Sequence, residues 1–244
     1  MTPKSVDLQE IETFTKEAAF WWDEEGPFKP LHQINPVRLT FIRDEIINHF
    51  KIKESPRDLF KNLEIIDVGC GGGLVCEPLA RLGGMVTGID PGLENIAAAR
   101  QHAHLHHLNL TYVNTTAEQM AEQGHRYDVV IALEIVEHVA DVPAFIQTCC
   151  QLLKPNGLFI LSTLNRTLKS YALGIVAAEY VLRWVPRGTH SWHKFLKPSE
   201  LAAPLRQNEV SLKTLRGMTF MPLTRRWSLS NDLAVNYLMS GVKR

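Results

Sequence analysis

The stretch Glu64-Ile65-Ile66-Asp67-Val68-Gly69-Cys70-Gly71-Gly72-Gly73 constrains the chain more than any other. Ile65, Ile66 and Val68 read as a short strand buried on both faces, as in a parallel sheet. The strand runs straight into four glycines, Gly69 and Gly71 to Gly73. Glycines there let the backbone turn sharply and let a ligand reach main-chain N–H groups. Leu74, Val75, Leu79 and Leu82 then follow at helical spacing. Strand, glycine loop and helix are the opening of a nucleotide-binding βαβ unit.

The loop excludes two kinds of nucleotide site. A dinucleotide fingerprint G-x-G-x-x-G needs a third glycine where Leu74 stands, and no G-x-x-x-x-G-K-[ST] phosphate loop is present. Instead Asp67-x-Gly69-x-Gly71 is followed by an apolar strand, Met85–Ile89, that ends in Asp90. A carboxylate at the tip of a second strand can accept ribose hydroxyls. This combination resembles the class I methyltransferases, which bind S-adenosylmethionine. The resemblance implies an α/β fold, a Rossmann-like doubly wound sheet of seven strands.

Later periodicity agrees with that class. A helix is expected over 93–107, strands over Leu110–Val113, Tyr127–Leu133 and Leu158–Thr163, and a helix over 142–153 capped by Asp141. Alternating strands and helices give a doubly wound sheet with ligands at the C-terminal strand edge. Before this core, a helix is expected over 7–22, a proline-broken loop over 28–36 and a helix over 37–50. After it, 168–185 reads as a long apolar helix interrupted only by Lys169, Glu179 and Arg183. Another helix starts at Pro198, and segments near 210–220 and 233–243 supply two last strands. The expected organisation is one domain over 1–244. Its parts are an N-terminal helical lid (1–50), a cofactor-binding core (62–165), a helical insertion (166–200) and C-terminal strands (201–244).

Composition narrows the setting. No run reaches 18 apolar residues, so no membrane-spanning helix is expected. Acidic residues among the first 20 argue against a targeting peptide, and the four cysteines read as reduced cytosolic thiols. Net charge is zero but uneven. Residues 1–164 hold 13 Lys+Arg against 22 Asp+Glu, and residues 165–244 hold 13 against 4. The basic part is read as facing something anionic, a membrane surface or nucleic acid, with a solvated basic face as the bland alternative. No nucleic-acid-binding motif is appended. His102, His104, His106 and His107 are read as a solvated helix end, where cationic histidine suits the dipole.

A narrower resemblance covers almost the whole chain. Its residues are Trp21-Trp22-Asp23, Phe28-Lys29-Pro30-Leu31-His32, Ile34-Asn35-Pro36 and Arg38, the loop Asp67 to Gly73, Glu134 with Glu137-His138-Val139, Ser162 to Arg166, and Lys194 to Pro198. Together they resemble the bacterial ubiquinone-biosynthesis O-methyltransferases. The resemblance implies methylation of catechol-type hydroxyls on polyprenylated quinone precursors, 2-polyprenyl-6-hydroxyphenol and 3-demethylubiquinol. With such an insoluble substrate, 168–185 and its basic flanks are expected to dock a cytoplasmic enzyme peripherally on the inner face of an anionic membrane, the alternative being a core helix packed under the active-site mouth. A biosynthetic complex with other pathway enzymes is a further expected partner. The resemblance places S-adenosylmethionine contacts on Arg38, Gly69, Asp90 and Leu133, to which the loop reading adds Asp67 and Gly71. Where class I members often carry an acid for the adenine amino group, Thr115 and Thr116 stand instead.

Methyl transfer from a sulfonium is an in-line displacement with an already activated donor, so the protein mainly positions the acceptor and excludes water. A phenol has a pKa of about 10, so a base or a metal must help at neutral pH. His138 is the candidate base, because imidazole suits proton transfer near pH 7. Glu134, Glu137 and His138 are spaced i, i+3, i+4. On a helical turn they would share one face, with Glu137 assisting the base or all three holding a divalent cation, Mg2+ by the hardness of the ligands. The resemblance also implies a metal, at least in related members. The other reading is that one acid serves the cofactor and the rest pair with Arg or cap a helix. Two other functions stay open: an O-methyltransferase of another small aromatic acceptor, and a non-catalytic S-adenosylmethionine-binding scaffold. Asp90, Gly69 and His138 argue against the scaffold.

Overall fold

The apolar run at Ile65 is an inner strand of the sheet in a computed structural model that describes residues 15, 17–53, 58–173, 175, 191–221, 224 and 226–244. Strands β1 (Glu64–Val68), β2 (Met85–Asp90), β3 (Thr111–Asn114), β4 (Tyr127–Leu133) and β5 (Leu153–Leu164) pair in parallel. Strands β6 (Val210–Met221), β7 (Arg226–Ser230) and β8 (Asn236–Lys243) join them antiparallel. The order is β3-β2-β1-β4-β5-β8-β6-β7.

Side-chain alternation explains why both faces are covered. Ile65, Val129, Ile131, Leu158 and Ile160 point to one face, where they meet helices α1 (Lys29–Phe50), α2 (Cys76–Arg81) and α3 (Leu93–Leu105). Ile66, Val130, Ala132, Phe159 and Leu161 point to the other and meet α4 (Ala117–Glu122), α5 (Val142–Gln151) and α6 (Pro198–Gln207). Each fully buried Ile, Leu or Phe in these layers stabilises the sheet by about 1.5–3 kcal/mol. Asp141 caps α5 as its sequence position predicts, accepting from the Ala144 N–H at 3.0 Å.

Four expectations are corrected. The sheet has eight strands, not seven, because Arg226–Ser230 folds back on the end of β6 as an edge strand. The helix expected from residue 37 begins at Lys29. Pro30 lies in its first turn, where a missing N–H costs nothing. Pro36 is tolerated inside because burial of Ile34, Val37, Phe41, Ile42 and Ile46 outweighs one lost backbone bond. That burial also makes α1 a core helix, not a lid. Strand β5 starts at Leu153, through the turn-like Lys154-Pro155-Asn156-Gly157, with a register shift between Tyr127 and Val129. The helix expected over 7–22 lies mostly outside the described residues, which show a 3₁₀ turn at Ala18–Phe20. The apolar helix of 168–185 is described only as a helical turn, Leu168–Ser170, and its continuation to residue 173.

Candidate functional site at the C-terminal strand edge

Strand β1 delivers the chain into the glycine loop, with φ of +73° at Gly69, +52° at Gly71 and +91° at Gly73. Two glycines are required by space as well. A Cβ on Gly73 would lie 2.0 Å from the Tyr112 hydroxyl oxygen, and one on Gly71 would lie 2.4 Å from Cζ2 of Trp21.

Asp90 closes the end of β2. Its Oδ1 accepts from the Gly92 N–H at 2.7 Å and from Asn95 Nδ2 at 3.1 Å, and its Oδ2 accepts from the Gly71 N–H at 3.0 Å. A carboxylate has about four acceptor sites, so Oδ2 keeps capacity for a further donor. Burial raises its pKa, opposed by these same hydrogen bonds. Asp67 behaves differently. Its Oδ2 accepts from Cys76 Sγ at 3.2 Å, and burial pushes its carboxyl up to about 7. The Cys76 bond ties β1 to α2 across the loop, and that bond, then Arg38, opposes the shift.

Arg38 reaches the same edge from α1. It is buried, its Nη2 lies 3.2 Å from Glu134 Oε1, and its Nε has no hydrogen-bond partner. A buried, unpartnered guanidinium N–H beside a glycine cradle fits the carboxylate of a bound amino-acid moiety. Leu133 ends β4 and is half-buried there. Arg38, Asp67, Gly69, Gly71, Asp90 and Leu133 are thus gathered on the ends of β1, β2 and β4 and on the helix above them. Thr115 and Thr116 border this edge. Thr116 caps α4 in a capping box with Gln119, and Thr115 Oγ1 donates to Gln119 Oε1 at 2.7 Å.

The acidic motif after β4 does not form the expected helical face. Glu134 has φ +50°, which turns the chain out of a helical path, and residues 136–138 form a turn closed by the His138 N–H to Ile135 at 2.9 Å. The Glu134 carboxylate accepts from Ser162 Oγ at 2.7 Å and pairs with Arg38. Glu137 is buried and accepts from Thr163 Oγ1 at 2.8 Å. Burial, then the charge of Glu134, holds the Glu137 carboxyl well above the usual range. The expected cation site at Glu134, Glu137 and His138 is therefore corrected. The two carboxyls bond to β5 and Arg38 and lie against each other, and the described residues include no group of three His, Cys, Asp or Glu set to hold a metal ion. His138 remains half-buried on the turn.

Other residues at this edge escaped the sequence. Trp21 Nε1 donates to Asn95 Oδ1 at 2.9 Å, and Trp22 Nε1 donates to the Gly72 carbonyl at 3.0 Å. Trp22 also stacks on His102, with centroids 3.5 Å apart. His102 Nδ1 lies 2.7 Å from Oε1 of the fully buried Glu77. His102 is thus tied to the loop through Trp22, not part of a solvated helix end. The paired tryptophans were the available signal. Nothing local in the sequence marks Asn95.

Comparison with known proteins agrees with this geometry. Residues 39–210 match the family described as methyltransferase domain. The ubiquinone biosynthesis O-methyltransferase of Methylobacterium nodulans is 48% identical over 240 residues, covering 98% of this chain and 96% of that one. The mitochondrial enzyme of the same name from Arabidopsis thaliana is 46% identical over 242 residues, covering 98% of this chain and 75% of that one. Among solved structures, magnesium protoporphyrin IX methyltransferase from Synechocystis, with bound SAH, superposes at a TM-score of 0.64. It is 19% identical and covers 96% of this chain and 94% of its own, a likeness of fold. The chain belongs to the methyltransferase-domain family and, within it, to the ubiquinone biosynthesis O-methyltransferases.

Proposed function

We propose that the protein transfers a methyl group from S-adenosylmethionine to phenolic hydroxyls of polyprenylated ubiquinone precursors, 2-polyprenyl-6-hydroxyphenol and 3-demethylubiquinol. The observation that carries the cofactor half is Asp90, held by three donors beside the glycine loop. The acceptor half rests on near half identity to named relatives over almost the whole chain.

When bound, S-adenosylmethionine supplies a methyl group already activated on a sulfonium. Asp90 accepts from the ribose, and the unpartnered Nε of Arg38 donates to the methionine carboxylate. The glycine loop lets the chain turn sharply from β1 toward α2 and bring the Gly71 N–H to Asp90. His138 takes the acceptor's phenolic proton as the oxygen attacks. Glu137, anchored to Thr163 beneath the turn, fixes where His138 sits. Its bond to Thr163 Oγ1 holds it on β5, so it serves as an anchor for the turn. No step is routed through magnesium, because Glu134, Glu137 and His138 do not share the helical face expected of a cation site. In a bacterium lacking its own ubiquinone biosynthesis O-methyltransferase, expression of this chain should restore ubiquinone, and the Asp90→Ala variant should not. Failure of the wild-type chain, with the protein present in the cell, would contradict the reading.

The basic, apolar segment 168–185 supports attachment to the inner face of an anionic membrane. No helix among the described residues is long and apolar enough to cross a bilayer. At the start of the segment, Leu168 is 82% exposed, and Tyr171 and Leu173 are exposed beside it. These exposed apolar side chains, in a stretch of sequence that also carries Arg183, Arg187, Lys194 and Lys197, suit an interfacial position, each of those charges adding about 1 kcal/mol against anionic lipid. The protein should float with anionic liposomes, less so as salt rises. Equal flotation with neutral liposomes, or none with either, would reject attachment by charge.

A further inference from the structure

Two of the three donors that fix Asp90 are themselves fixed by one ring. Trp21 Nε1–H donates to Asn95 Oδ1 at 2.9 Å, and Asn95 Nδ2 donates to Asp90 Oδ1 at 3.1 Å. The same indole lies flat against the loop. A Cβ on Gly72 would meet Trp21 Cγ at 2.3 Å, and one on Gly71 would meet Trp21 Cζ2 at 2.4 Å. The Gly71 N–H is the donor to Asp90 Oδ2, at 3.0 Å. One buried side chain therefore touches both Asn95 and Gly71, which hold the two carboxylate oxygens. The ring is itself held. Phe28 stacks on it with centroids 3.8 Å apart and planes 5° apart, and His32 Nε2 lies 2.9 Å from the Trp21 carbonyl oxygen.

We propose that Trp21 and Asn95 are positioning residues that aim the Asp90 carboxylate at the ribose of the bound cofactor. This rests on the reading of Asp90 as the ribose carboxylate. The physical core is the symmetry of an amide. The two ends of an asparagine side chain have nearly the same shape, but one donates and the other accepts. An indole N–H can only donate, so Trp21 fixes the Oδ1 end toward itself and the Nδ2 end toward Asp90. Without that N–H the amide is held at one end only, so Asn95 Oδ1 is left buried without its donor and the Nδ2 donor loses the support that fixes its direction toward Asp90. A phenylalanine at 21 keeps the apolar stack and removes only the donor.

The test is calorimetric titration of S-adenosylhomocysteine into the full chain and the variants Trp21→Phe, Asn95→Ala, their double, and Asp90→Ala. Trp21→Phe should weaken binding about 3- to 10-fold, the size of one neutral hydrogen bond. Asn95→Ala should cost about 10-fold, and the double no more than Asn95→Ala alone, because the two act in series. In turnover, KM for the cofactor should rise in step while kcat and the acceptor KM stay within about twofold, which separates aim from general damage. If Asn95→Ala does not fold, Asn95→Asp keeps the acceptor for the indole, cannot donate to Asp90, and should weaken binding at least as much. Wild-type affinity in Trp21→Phe, or penalties that multiply in the double variant, would overturn the relay. Unchanged affinity in Asp90→Ala would instead overturn the ribose reading. Weak binding in Asp90→Ala with wild-type binding in the other variants would reject the relay alone.

Discussion

Asp90→Ala is expected to weaken S-adenosylhomocysteine binding by about 10²-fold or more. A hydrogen bond to a charged acceptor contributes roughly 1.5–3 kcal/mol, and each 1.4 kcal/mol is tenfold. Removing the carboxylate also leaves the Gly71 and Gly92 N–H groups and Asn95 Nδ2 without their acceptor, all in a buried site. The loop that Gly71 belongs to should loosen, which adds to the loss. Asp90→Asn is the informative companion. It keeps the shape but presents an amide to three donors, so it should bind between the wild type and Asp90→Ala. Affinity within about threefold of wild type in Asp90→Ala would move the ribose elsewhere.

His138→Ala is expected to lower kcat by about 10²–10⁴ while leaving cofactor affinity within about twofold, the range for loss of a general base. The separation follows from position. His138 lies on the turn after β4, and Asp90 and the glycine loop lie on the ends of β2 and β1. Glu137→Gln should be milder. It keeps an acceptor for Thr163 Oγ1 and removes a carboxyl that burial already holds toward its neutral form. Turnover near wild type in His138→Ala would remove histidine from the chemistry.

What the sequence makes legible here is what neighbours in the chain decide. Ile65-Ile66 and Tyr127–Leu133 carry their own burial pattern, and the observed strands fall where alternation and run length place them. Asp90 is legible because strand tip and carboxylate are adjacent. The failures are equally specific. Pro30 and Pro36 look like breakers, and only the burial of α1 against the sheet shows that the helix survives them. Glu134, Glu137 and His138 look like one helical face until Glu134 takes φ +50°. The edge strand Arg226–Ser230 is short, with only Trp227 and Leu229 packed inward. The link from Trp21 to Asn95 spans 74 positions, and no local pattern encodes a partner so distant.

The central claim is that this cofactor edge serves phenol O-methylation of a tailed catechol. The most direct measurement is incubation with methyl-labelled S-adenosylmethionine and a panel of catechols and phenols, with and without a polyprenyl tail, with the product's position of label determined. The predicted result is label on the hydroxyl oxygen of the tailed catechols, reduced or absent transfer to untailed ones, and none with Asp90→Ala at limiting cofactor. Label on carbon or nitrogen, equal transfer to tailed and untailed acceptors, or no transfer to any of them by a folded, cofactor-binding protein would contradict it.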